Sequence, residues 1–206
     1  MTTARTVTVP AERVVRWFDN FGARHGLPTY AVREGVLAAA APDGAAAEAR
    51  LPFAARYAGA ADPRAFTDAV TAPARWGVLL VRKGGFAVAV VEGGRVVDSK
   101  VGQRHVQGRT KAGGQSQQRF ARRRDNQARQ AYEAAAEHAV RILVDVVALV
   151  CGGDRSAVDA VLSDPRLRRA GDLRVDPWLA VPDPRRAVLD QAVLDAASVA
   201  IEVTDP

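Results

Sequence analysis

The sequence predicts an α/β protein whose main part is a mixed sheet, preceded by a smaller α+β segment. Three observations carry that expectation. Residues 76–81, 86–92 and 95–101 are apolar, β-branched runs separated by Gly84-Gly85 and Gly93-Gly94, the pattern of an antiparallel three-stranded meander. Residues 115–141 hold no proline and are rich in helix formers, which predicts one long helix. Beyond it, strand and helix signals alternate to the end of the chain, which implies parallel pairing with helices covering the sheet.

Taken in order, residues 6–9 alternate like a short strand and stop at Pro10. Val14, Trp17, Phe18 and Phe21 then fall at i, i+3, i+4 and i+7, one apolar helical stripe expected to face a core. Gly22, Gly26 and Pro28 end that helix. Residues 29–75 are less legible. Tyr30 to Ala40 reads as a strand, Asp43-Gly44 as a hairpin turn, and the alanine-rich residues after it fit either helix or loop. Pro52, Pro63 and Pro73 cut the stretch into short pieces. The expectation is a small α+β subdomain over residues 1–75 and a second domain over residues 76–206.

In the long helix, Ala121, Ala128, Ala131, Tyr132, Ala135, Ala139 and Ile142 share one side at 100° per residue. Arg119, Arg122, Arg123, Asn126, Gln130, Glu133 and Glu137 take the other, and Arg124 points toward the packed side. An alanine stripe lets a helix lie close on a sheet. The tail predicts a strand near residues 145–151, a helix over 154–163, a short strand within 173–181 and a helix over 184–201. From Trp76 onward the order is β-β-β-α-β-α-β-α, a mixed sheet of the ribonuclease-H-like kind.

Composition narrows the chemistry. The 206 residues, 48% of them apolar, suffice for one sizeable core or a core with a small appendage. Cys151 is the only cysteine, so no intramolecular disulfide forms, and its apolar setting marks it as a small buried hydrophobe. No apolar run at the N-terminus resembles a signal peptide, and none reaches the roughly 18 residues of a membrane helix. A cytoplasmic monomer is expected. His25, His105 and His138 have no metal-ligand spacing, and no cofactor or metal is implied. Asp98 and Asp145, on neighbouring expected strands, evoke a metal nuclease but lack further carboxylates. Gly152-Gly153-Asp154 reads as a strand-to-helix turn with Asp154 as the cap; it lacks the nucleotide-binding glycine pattern.

The charge is concentrated in one place. Residues 102–129 carry a net charge of +7 against +6 for the whole chain, so the rest of the molecule is close to neutral. Arg104, Arg109 and Lys111 precede Gly113-Gly114-Gln115, and Arg119, Arg122, Arg123 and Arg124 follow it in the first turns of the helix. Cations at a helix N-terminus are unfavourable by a few tenths of a kcal/mol each. That placement makes sense if phosphates occupy the same end. A tip of two glycines and a neutral glutamine on a basic stem is suited to entering a dense field of phosphates. The triplet alone is weak, arising by chance on the order of a few per cent of the time in such a chain. Its basic setting gives it weight.

The segment GRTKAGGQSQQRFARRRDNQ resembles the catalytic loop of the Vms-like release factors, actinobacterial branch, a family of peptidyl-tRNA hydrolases related to the middle domain of archaeal and eukaryotic release factors. The resemblance extends from about Trp76 to the C-terminus and implies the release-factor middle-domain fold, with loop 102–115 leading into the long helix. It implies that Gly113, Gly114 and Gln115 enter the peptidyl-transferase centre of the large ribosomal subunit and promote hydrolysis of the peptidyl-tRNA ester. Arg104, His105, Arg109, Lys111, Arg119, Arg122, Arg123 and Arg124 would then contact RNA. No stop-codon-reading domain accompanies them, which favours rescue of stalled subunits over decoding. The competing reading is a ribosome- or RNA-binding factor that uses the same loop without chemistry.

Overall fold

The structure is a computed structural model describing residues 4–103 and 115–206, with residues 103 and 115–128 described by their backbone alone. β1 (Ala4–Val9) ends at Pro10, whose carbonyl accepts the Arg13 N–H at 2.9 Å and turns the chain into α1 (Val14–His25). As the apolar spacing predicts, α1 buries Val14, Phe18 and Phe21, with Trp17 half-buried. Gly26 ends it at a φ of 91°, a value that favours glycine.

The single strand expected over residues 30–40 is instead a hairpin of β2 (Thr29–Arg33) and β3 (Val36–Ala40). Glu34 and Gly35 both take positive φ, 51° and 87°, so two residues reverse the chain. The Asp43-Gly44 turn follows as expected. There Asp43 accepts the Ala45 N–H at 2.9 Å and pairs with His25 at 2.8 Å. The Ala45 bond first, and His25 next, hold the Asp43 carboxyl below its ordinary value. The alanine-rich stretch after it, expected as helix or loop, is β4 (Ala46–Arg50). Ala47 and Ala49 are buried while Glu48 and Arg50 are exposed, a period of two. Alanine's helix preference yields here to pairing with β3. α2 (Pro63–Asp68) starts at Asp62, whose carboxylate accepts the N–H groups of Arg64 and Ala65, both at 2.9 Å.

β5 (Arg75–Arg82), β6 (Gly85–Glu92) and β7 (Arg95–Gln103) form the predicted antiparallel meander. α3 (Gln115–Ile142) follows, 28 residues long. Then come β8 (Leu149–Gly153), α4 (Arg155–Leu162), α5 (Arg168–Asp172), β9 (Arg174–Leu179) and α6 (Arg186–Ala196). The sheet order is β7-β6-β5-β8-β9, with β8 parallel to β5 and β9 parallel to β8. This is the ribonuclease-H-like mixed sheet that the sequence predicts. Its core joins Leu79, Val88 and Val90 of the sheet to Ala135, Ala139 and Ile142 of α3 and to Val158 and Val161 of α4. Asp145, expected on a strand, lies in the turn after α3 at a φ of 56°.

The chain's end departs from expectation. The helix predicted over residues 184–201 stops at Ala196, and Val199–Thr204 forms β10. Its pattern is strictly alternating, with Val199, Ile201 and Val203 buried. β10 inserts between β1 and β4 in the first sheet, whose order is β1-β10-β4-β3-β2. Two compact units result, residues 1–72 with 194–206, and residues 73–193. The last residues therefore belong to the first unit and not to a domain running from 76 to 206. Apolar β-branched residues at period two fill the gap between two strands better than they continue a helix. Among the described residues, no helix is long and apolar enough to cross a membrane.

Ile201 is fully buried in this interior strand. Ile201→Ala should cost about 2–5 kcal/mol in urea unfolding, with amide protection falling in both β1 and β4. Protection unchanged in those strands would show that β10 is dispensable to the sheet.

Candidate nucleic-acid interface

Strand direction places the candidate site. β5, β7, β8 and β9 run one way and β6 runs against them, so four strands end at one edge. β7 ends there at Gln103, paired with Gly85, and it is the outermost strand of its sheet. The basic segment thus leaves from a sheet edge, as the sequence reading requires. Gly113, Gly114, Arg104, His105, Arg109 and Lys111 lie outside the described residues. Gln115 is the first residue of α3, and Arg119, Arg122, Arg123 and Arg124 follow within its first three turns. The stretch from Gln115 to Tyr132 corresponds to about 26 Å of helix. No acid stands in the first turn of α3. The N–H groups at such a start lack intrahelical acceptors, and together with the following arginines they favour an anionic partner.

Phe86 joins the two sides of this segment. It lies directly opposite Gly102 in the β6–β7 ladder, and a Cβ at Gly102 would run into the Phe86 ring. The His138 ring of α3 stacks on the same phenylalanine at 5.8 Å and 27°. One buried ring therefore packs against both the strand entering the basic segment and the helix leaving it. The alanine stripe completes the seat: Ala135 and Ala139 are fully buried, while Arg129 and Gln130 remain exposed. Sequence reading singled out neither Phe86 nor Gly102. A glycine within a strand pattern, opposite an aromatic, was the available signal.

A second set of contacts finishes the edge. Arg82, the last residue of β5, donates from Nη1 to the Val181 carbonyl at 3.0 Å. Its Nε lies 3.6 Å from Asp154 and 3.8 Å from Asp183. Asp154 occupies the N-cap position of α4, as expected, but its side chain caps nothing and faces Arg82 instead. Trp178 donates to the Gly153 carbonyl at 3.3 Å, and the Arg155 guanidinium sits 4.3 Å from the centre of its ring. Gly153 has a φ of 91° and touches the β5 backbone, so the turn requires a glycine there. Burial, and secondarily Asp154, raise the pKa of the Tyr132 phenol.

The remaining candidates are accounted for by structure. Asp98 accepts from Arg141 at 2.9 Å. Among the described residues no group of His, Cys, Asp and Glu is arranged to hold a metal ion. Cys151 is buried, which pushes its thiol up to about 12 and leaves it without thiolate character at neutral pH.

A mixed sheet of this strand order, whose edge strand precedes a basic helix headed by glutamine, fits the release-factor class that the sequence resembles. Comparison by sequence agrees with that class. A family model matches residues 74–202, and the chain belongs to that family, the Actinobacteria/chloroflexi VLRF1 release factor. No curated protein matches the chain. Among solved structures, an archaeal protein aligns at 11% identity and a TM-score of 0.36, over 95% of this chain and 67% of its own. The archaeal translation termination factor aRF1 aligns at 11% identity and a TM-score of 0.40, over 95% of this chain and 65% of its own. The chain thus spans about two thirds of each, and at these scores neither likeness bears on function. Family membership makes this a translation protein of the release-factor class.

The Phe86 seat has a direct test. Gly102→Val should force the Phe86 ring aside and lower stability by about 1–3 kcal/mol, the cost of overpacking. Urea unfolding reads the loss, and pairing it with Phe86→Leu should recover part of it. Full stability in the single variant would mean that no close approach exists.

Proposed function

We propose that the chain hydrolyses the ester between a nascent peptide and tRNA on stalled large ribosomal subunits, with Gln115 at the reacting centre. One observation carries the reading: Gln115, which follows Gly113-Gly114 in the sequence, begins a basic helix in a member of a release-factor family. Water attacks the ester carbonyl, the carbon–oxygen bond to the tRNA ribose breaks, and the ribose hydroxyl leaves with a proton. The glutamine offers two aids to that step. Its side-chain amide can orient the water, and its backbone N–H can donate to the oxyanion that develops. Neither places a charge among phosphates. Gly113 and Gly114 let the backbone come close to RNA, and ribose hydroxyls of the RNA relay the proton. Arg104, His105, Arg109, Lys111 and the α3 arginines hold the surrounding ribosomal RNA. The site of action would then be the cytoplasm, in ribosome-associated quality control.

The deciding experiment adds purified protein to large subunits carrying labelled peptidyl-tRNA and measures free peptide. Gln115→Ala removes an amide and no charge, so subunit binding should persist while release falls about 10²- to 10³-fold. A smaller fall, with Gly114→Ala the more damaging change, would assign the main effect to the backbone N–H. Full release in both variants would remove Gly114 and Gln115 from the reacting centre, and binding without release by the wild type would leave an RNA-binding factor without chemistry.

The arginines answer to a separate measurement. Arg119→Gln, Arg122→Gln and Arg123→Gln combined should weaken subunit binding. The slope of log affinity against log salt should flatten by roughly 2 to 3, one released counterion per lost phosphate contact. An unchanged slope would make these arginines ordinary surface.

A further inference from the structure

The first unit carries a cleft that the release-factor reading does not use. Its volume is about 570 Å³. One wall is Thr8 and Val9 at the end of β1 with Pro10 after them, and the other is Arg13 with Arg16, Trp17 and Asn20 of α1. β1 is the outermost strand of its sheet, so its outer edge is unpaired by the other strands. Arg13 and Arg16 are exposed and make no ion pair among the described residues. The acids of the same segment, Glu12 and Asp19, line no part of the cleft. Trp17 is half-exposed yet held in one orientation, stacked on Phe21 at 5.7 Å and met edge-on by Phe18 at 5.1 Å.

We infer that this cleft binds a single-stranded RNA segment, with a base on Trp17 and phosphates on Arg13 and Arg16. Two arginines without carboxylate partners supply charge complementarity to a phosphate backbone. A preoriented indole supplies a stacking surface open to any base, and the Asn20 amide adds a donor and an acceptor for a base edge. Pro10 fixes the corner at which the two walls meet. The inference rests on the proposed function for the identity of the RNA, which would be ribosomal RNA or tRNA. It assigns residues 1–72 a second hold on that RNA, independent of the basic segment.

The test titrates the full chain with a labelled uridine oligonucleotide of about eight nucleotides. Arg13→Gln with Arg16→Gln should weaken binding about ten-fold and flatten the salt slope by roughly 1.4, the single-strand value for two phosphates. RNA should quench the wild-type tryptophan emission, and Trp17→Phe should abolish that quench. Both arginines are exposed, so folding should persist, which thermal unfolding checks. Equal affinity and slope in the double variant would overturn the inference. So would binding of the wild type, but not of the double variant, to RNA-free ribosomal proteins, which would make the cleft a protein-docking surface. Peptide release reports separately. A chain that binds the oligonucleotide through this cleft but releases no peptide refutes the hydrolase alone, and the reverse result refutes the cleft alone.

Discussion

The Phe86 ring is the contact that ties together β7 and α3, the two elements that flank the basic segment. It fills the space that a side chain at Gly102 would take, directly across the ladder, and receives His138 on its face. β7 and α3 both pack on this one buried ring, 5% exposed, in a strand that is apolar up to its last residue, Glu92. Aromatic rings opposite glycines stabilise strand pairs because the ring covers backbone that glycine leaves bare. The alanine stripe extends the same logic. Short side chains at 135 and 139 let α3 lie close to the sheet, so helix direction is set by packing and not by charge.

Charge is distributed according to a different rule. Several arginines of the second unit meet carboxylates: Arg141 with Asp98, Arg174 with Asp159, and Arg166 between Asp164 and Glu137. Arg166 holds the Asp164 carboxyl down at about 2 and lowers that of Glu137 as well. Such exposed pairs stabilise little. Their consequence is to neutralise the body. The stretch from 102 to 129 has Asp125 as its single acid, so its own residues leave it at +7. Arg13 and Arg16 share that condition on a smaller scale, beside an aromatic ring. Charge concentrated in this way is what supports the anionic partner proposed above.

The second unit was legible because its signals are local. β-branched runs between glycine pairs, and an unbroken helical stretch, define the meander and α3 without reference to the rest of the chain. The first unit was less so, and residues 46–50 show why. Ala-Ala-Glu-Ala-Arg has helix preference, and only the flanking strands β3 and β10 make it a strand. Glu34-Gly35 gave a weak turn signal because glutamate rarely takes positive φ.

By itself the sequence determined the ribonuclease-H-like order of elements, the placement of charge at the head of one helix, and the glutamine at its start. Periodicity, glycine turns and charge are properties of neighbouring residues, so they can be read along the chain. Tertiary structure decided that Val199–Thr204 closes the first sheet, that Phe86 packs against Gly102 and His138, and that Asp154 serves Arg82 instead of its own helix. Each of these joins residues distant in sequence, and β10 meets β4 about 150 positions away. Such a pairing is chosen by competition among all the strands the chain offers. No window of neighbouring residues contains that competition.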